Sequence, residues 1–204
     1  MSTANPSINP VIVTNFPGSF SVTSDGYVQG IFLDDPAIRN ELAGGFLATA
    51  ETLPMWGGVA IADAIPNPAN QSDALGGAIS RALAQTGLTG FSVFNQASNM
   101  IQTPQSRVPL SGTGMGVNFF RLGSGARICV QCDATFAATL AGESVITQCS
   151  WDYTNQKLVA YDSTAALPVK ILNVNIGNSK IVSYSSGTGF ANWTNNGDVA
   201  VIQI

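Results

Sequence analysis

The chain has 204 residues, 8 basic and 12 acidic side chains, a formal charge of −4 and no histidine. That length suits one β-rich domain or two small ones and excludes a disulfide-stapled mini-protein, while the charge excludes a basic field that could hold a phosphate backbone. The missing histidine excludes Ser-His-Asp, Cys-His and His-metal chemistry.

Residues 1–24 contain three prolines, the β-branched run Val11-Ile12-Val13 and no charge. Proline fixes φ and removes a ladder donor while Val and Ile favour extended backbone, so an extended arm that docks on other protein is expected, with a disordered tail as the alternative. Pro6, Pro10 and Pro17 break any signal-peptide helix, and the odd number of cysteines, three, makes synthesis in a reducing cytoplasm the simpler expectation.

Asp34 or Asp35 caps a short helix predicted over 36–43, with Pro36 at its first position and Gly44-Gly45 ending it. Val59-Ala-Ile61 reads as a short strand opened by two glycines. Leu75, Ile79 and Leu83 lie four residues apart, behind Ser72 and Asp73 as caps and ahead of Gly87 as a stop. This spacing predicts a helix at about 71–86.

From residue 89 onward the chain changes to short β-rich runs: Gly90–Asn95, Gly116–Leu122, Ala126–Cys132, Glu143–Ser150, Lys157–Tyr161, Val169–Asn175, Lys180–Ser185 and Asp198–Ile204. Turn residues separate most of them, including Gly123-Ser-Gly125, Gly177-Asn178, Gly187-Thr-Gly189 and Asn195-Asn-Gly197. The expected fold is therefore mainly β, an antiparallel jelly-roll or barrel-like sandwich with an extended N-terminal arm and one or two short helices. The expected layout is an arm over 1–24 and a single β-rich domain over 25–204, with a helical insertion around 71–86.

Cys129-Val-Gln-Cys132 has C-x-x-C spacing, but it lies on a predicted strand, where residues three apart point to opposite faces. With Cys149 the only other thiol and no histidine, these cysteines read as buried structural residues and no metal is expected. Gly112-Thr-Gly-Met-Gly116 and Gly187-Thr-Gly189 precede no helical pattern and read as turns, not phosphate cradles. Trp56, Trp151, Trp193 and the four tyrosines could stack on sugars, although aromatics in a sandwich usually anchor the core. Charged residues make up only 10% of the chain, against about 25% in ordinary soluble domains, while Asn, Ser and Thr number 51. A surface so poor in charge is expected to face other protein; a secreted Asn/Ser/Thr-rich β protein is the alternative with the same composition. No run of about 18 apolar residues occurs, so no membrane partner is expected.

The stretches Leu167-Pro-Val-Lys-Ile-Leu, Gly177-Asn-Ser-Lys-Ile-Val-Ser-Tyr-Ser-Ser-Gly-Thr-Gly-Phe-Ala-Asn-Trp193 and Gly197-Asp-Val-Ala-Val-Ile-Gln-Ile204 resemble the ending of structural cement (decoration) proteins of tailed-bacteriophage capsids. Gly26-Tyr-Val-Gln-Gly30, Asp34-Asp-Pro-Ala-Ile-Arg39 and Leu53-Pro-Met-Trp-Gly-Gly58 resemble the front part of the same proteins. The resemblance implies a virion protein, assembled in the host cytoplasm, that binds the outer surface of the assembled major capsid lattice and stabilises it. Its implied partners are the major capsid protein and itself, as a homodimer or homotrimer, with neither nucleic acid nor membrane. No catalytic residue carries over, so neither enzymatic activity nor a cofactor is expected. The apolar arm residues Val11, Ile12, Val13, Phe16 and Phe20 are the candidate partner-binding residues. The alternative is a carbohydrate-binding jelly-roll module of a phage fibre or lectin.

Overall fold

A computed structural model describes residues 26–33, 35–64, 77–94, 108–140 and 148–204. The strands are β1 (Phe32–Leu33), β2 (Ala43–Leu47), β3 (Ala60–Asp63), β4 (Ala78–Arg81), β5 (Gly90–Val93), β6 (Gly116–Arg121), β7 (Arg127–Gln131), β8 (Cys149–Asp152), β9 (Lys157–Ala160), β10 (Lys170–Ser185) and β11 (Phe190–Gln203). Among the described residues there is one α-helix, α1 (Ala134–Leu140). The protein is mainly β, as expected, and combines sheets with a closed barrel.

The barrel runs in the order β2-β4-β3-β5-β6 and closes where β6 returns to β2. Only β2 and β4 pair in parallel; every other barrel pair is antiparallel. A four-stranded sheet follows the order β1-β7-β11-β10, and β8-β9 forms a separate hairpin.

The two-residue period of a strand sorts side chains between cores. On β6, Val117 and Phe119 join Leu47, Ile61 and Ile79 in one cluster, while Phe120 faces the other way. Phe120 meets Ala60, Phe91 and Val93 of the barrel, together with Ile128, Val130, Ala200 and Ile202 of the sheet. That shared cluster cements barrel to sheet. The sheet's opposite face carries Cys129, Val199 and Val201, covered by Tyr27, Leu172 and Ile181.

Several local expectations are corrected. The helix predicted over 71–86 is not formed in its described part: Ala78–Arg81 is β4, paired with both β2 and β3. Ile79 is fully buried while Leu83 is 86% exposed, so the four-residue stripe does not mark one face. Barrel closure overrides helix propensity here, since β4 satisfies its backbone on two sides. Residues 71–76 lie outside the described residues.

The helix predicted over 36–43 shrinks to a turn and a single 3-10 turn, Arg39–Glu41, because Ala43 already pairs with Phe119 of β6. Asp35 does act as an N-terminal acceptor, taking the Ala37 N–H at 2.9 Å. Helix α1, unanticipated, starts where Asp133 Oδ1 accepts the N–H groups of Thr135 (3.0 Å) and Phe136 (3.4 Å). It buries Phe136, Ala137 and Leu140 against the shared core.

Gly177-Asn178 and Asn195-Asn-Gly197, expected as turns, lie inside β10 and β11. Asn175 opposes Val199 and Ser179 opposes Gly197, so β10 advances four residues while β11 retreats by two. Gly177 and Asn196 take left-handed backbone, with φ of 65° and 67°. Such an irregularity bends a strand pair, and it separates the part of the hairpin in the sheet from the part that packs on the barrel.

Candidate interaction surface and polar cleft

Val11, Ile12, Val13, Phe16 and Phe20 lie outside the described residues. The chain becomes described at Gly26, where a β-carbon would collide with the carbonyl of Asn178 at the β10 irregularity. Beyond it Val28 bridges Lys180 in parallel, Lys180 N donates to the Tyr27 carbonyl (2.8 Å), and the buried Gln29 accepts the Val182 N–H at 2.9 Å. The first described residue, Gly26, therefore sits at the middle of the β10–β11 hairpin.

Past the irregularity the hairpin has two faces. Val182, Tyr184, Ala191 and Trp193 pack with Met55, Trp56 and Phe94 of the barrel side. Tyr184 lies against Trp56 with ring centroids 5.5 Å apart, and Trp193 meets Phe94 edge-on at 5.6 Å. Ser183, Ser185, Asn192 and Thr194 alternate onto the exposed face, and Phe190 is 40% exposed opposite Ser185. No charge interrupts this face from Ser183 to Thr194.

A polar cleft of about 430 Å³ opens where the barrel, the β8–β9 hairpin and the β10–β11 hairpin meet. Arg81 and Trp56 line its barrel side, Gln131 and the Thr154–Lys157 segment line another, and Val182 and Tyr184 the third. Arg81 is buried, and its guanidinium sits 4.9 Å over the Trp56 ring. It donates to Glu51 Oε1 (3.2 Å) and to the carbonyls of Leu53 (3.2 Å) and Pro54 (2.6 Å), while its own backbone N–H donates to Glu51 Oε2 (2.9 Å). Burial lowers the Arg81 pKa and the neighbouring Glu51 carboxylate opposes that shift. Lys157 is paired likewise, with Asp133 at 2.7 Å. Between them Gln156 holds a φ of 55° and is buried; its Oε1 accepts the Ala60 N–H (2.9 Å) and the Trp151 Nε1–H (3.2 Å), and its Nε2 donates to the Tyr153 carbonyl (2.7 Å).

The cysteines separate as the strand geometry requires. Cys129 belongs to the cluster on one face of the sheet and Cys132 to the core on the other. Burial pushes the thiols of Cys129 and Cys132 up to about 12 and that of Cys149 to about 11, so all three stay protonated at neutral pH. Among the described residues no group of three or more His, Cys, Asp or Glu side chains could hold a metal ion. Asp133, Asp152 and Asp162 have lowered pKa values. The first has a hydrogen bond from Lys157 as its main cause; in the second, bonds from Asn155 and Thr154 outweigh burial; the third is held by the Thr164 N–H. These are turn and cap acceptors. Gly112–Gly116 leads into β6, and Gly187–Gly189 forms the β10–β11 turn, so neither glycine loop opens a helix.

The sequence pointed to neither Arg81 nor Gln156. Arg81 falls within the predicted helix, and Gln156 follows Tyr153-Thr-Asn155, legible as a turn, where Asp152 accepts the N–H groups of Thr154 and Asn155, both at 2.9 Å. The aromatics expected to anchor the core do so at Trp56 and Trp151, which are buried, whereas Trp193 is partly buried. Compared with protein-family models, curated proteins and solved structures, the chain matches none.

Proposed function

We propose that the protein is a capsid cement protein, a virion component that self-associates and binds the outer surface of an assembled major capsid lattice. The observation that carries this reading is the uncharged outer face of the bent β10–β11 ribbon, Ser183 to Thr194, on the hairpin against which the first described residue, Gly26, packs. Interface cores are depleted of charged residues and enriched in aromatics, and this face presents Phe190 among Ser, Asn and Thr groups that can hydrogen-bond across an interface with no charge to desolvate. A protein that binds only the assembled lattice stabilises it by mass action, and many copies on one shell add avidity. In this reading Val11, Ile12 and Val13 add a strand to a neighbouring subunit, while Phe16 and Phe20 anchor the arm.

The test is sedimentation of the purified chain with expanded tailed-phage capsids that lack it, with light scattering of the free chain alongside. The expected result is a discrete dimer or trimer that co-sediments with shells and raises their melting temperature. A chain lacking residues 1–24 should stay folded and saturate shells only at higher concentration. A monomer that leaves shell stability unchanged would refute the cement reading, and equal saturation by both chains would refute the role of the arm.

A further inference from the structure

The cleft beside Arg81 has a composition that the capsid reading does not use. Both cations in its wall are neutralised locally, Arg81 by Glu51 at 3.2 Å and Lys157 by Asp133 at 2.7 Å. The cleft therefore offers a phosphate, sulfate or nucleotide no uncompensated positive charge. Its other polar groups are neutral: the Gln131 carboxamide and the Tyr184 and Thr154 hydroxyls can both donate and accept, and the Asn155 side-chain carbonyl oxygen can accept. Asn155 Nδ2 donates to Asp152 Oδ2 at 2.7 Å. Apolar surface comes from the exposed Leu53 and the half-buried Tyr184, over the buried Trp56 and Val182.

Neutral donors and acceptors set around the exposed Leu53 and the half-buried Tyr184 ring match a ligand that carries hydroxyls on its rim and C–H groups on its faces. The volume, about 430 Å³, falls within the range of roughly 300–1,000 Å³ typical of small-molecule sites, and such sites favour junctions between substructures. The floor is rigid, since Trp56 is held by both Arg81 and Tyr184 and Gln156 ties the β8–β9 turn to the barrel. Rigid walls lower the ordering cost of binding.

We propose that this cleft binds a neutral saccharide, one or two rings of an uncharged glycan, with Gln131, Asn155 and Tyr184 bonding its hydroxyls. The site is independent of the capsid reading, because it uses neither the arm nor the outer face of the ribbon.

The experiment uses the full chain, titrated with neutral mono- and disaccharides of glucose, galactose, mannose and N-acetylglucosamine and with sulfated counterparts. Saturation-transfer NMR and calorimetry read binding, and thermal melting reads stabilisation. At least one neutral sugar should bind with a dissociation constant tighter than about 10 mM. The double variant Gln131→Ala/Tyr184→Phe, which keeps the Tyr184 ring on Trp56, should weaken that binding by about tenfold or more and leave the free protein's melting temperature nearly unchanged. Three results would each overturn the proposal: no neutral sugar binding, binding confined to sulfated sugars and abolished by salt, or binding that survives the double variant.

Discussion

Two arginines show how burial sets the worth of an ion pair. The side chains of Arg81 and Glu51 are 8% and 14% exposed, whereas Arg121, which pairs with Asp63 at 2.5 Å, is 60% exposed. Removing one partner of a buried pair leaves an uncompensated charge, and here it also leaves the Leu53 and Pro54 carbonyls without their donor. Arg81→Ala should therefore cost about 3 kcal/mol or more in urea unfolding, and Arg121→Ala less than about 1 kcal/mol. Acid acts at the same scale. The depressed pKa values of Asp133, Asp152 and Asp162 mean that the unfolded chain takes up protons before the folded one. Their contribution is present above the ordinary carboxylate range and is lost as pH falls from about 4 towards the value of about 2 reached at Asp162. The urea midpoint should fall through that window, and Asp162→Asn, which cannot titrate, should flatten the slope.

Gln156 is where a residue governs an element. Its amide ties the β8–β9 hairpin to Ala60 of β3 and to Trp151 of β8. Gln156→Ala would leave two buried N–H donors without an acceptor, at about 1–3 kcal/mol each. We expect a loss of about 3 kcal/mol in stability and a red-shifted tryptophan emission as water reaches Trp151; unchanged emission would mean the hairpin is held by its apolar contacts alone. Close backbone approach matters as much elsewhere. At Gly30, with φ of 82°, an added β-carbon would lie 2.5 Å from Gly57, so two loops meet at a distance only glycine permits.

At the scale of the whole molecule, β11 joins the two main parts. Its C-terminal half pairs with β7 in the sheet, and its N-terminal half carries Ala191 and Trp193 into the cluster that contains Trp56 and Val59. Phe91, Phe120, Ile128 and Ile202 meanwhile form one core across barrel and sheet. Such sharing predicts one cooperative calorimetric transition with equal van't Hoff and calorimetric enthalpies. Two resolved transitions would show that the barrel melts apart from the sheet.

Periodicity and composition alone determined the β class, most strands from Gly90 onward, the opposite facing of Cys129 and Cys132, and the exclusion of histidine chemistry. These are local properties: alternation, turn residues and residue counts carry them without knowledge of the partner strand. Ala78–Arg81 became strand instead of helix because β2 and β3 flank it, and those partners lie at least 15 residues away in sequence. Lys170–Ser185 became one strand because an irregularity, not a turn, absorbs Gly177-Asn178 once β11 lies alongside. The cleft followed the same rule, since Arg81, Gln131, Asn155 and Tyr184 come from four separate segments. Only tertiary structure could assemble them, because which backbone groups pair, and which side chains then converge, depends on contacts that no window of sequence contains.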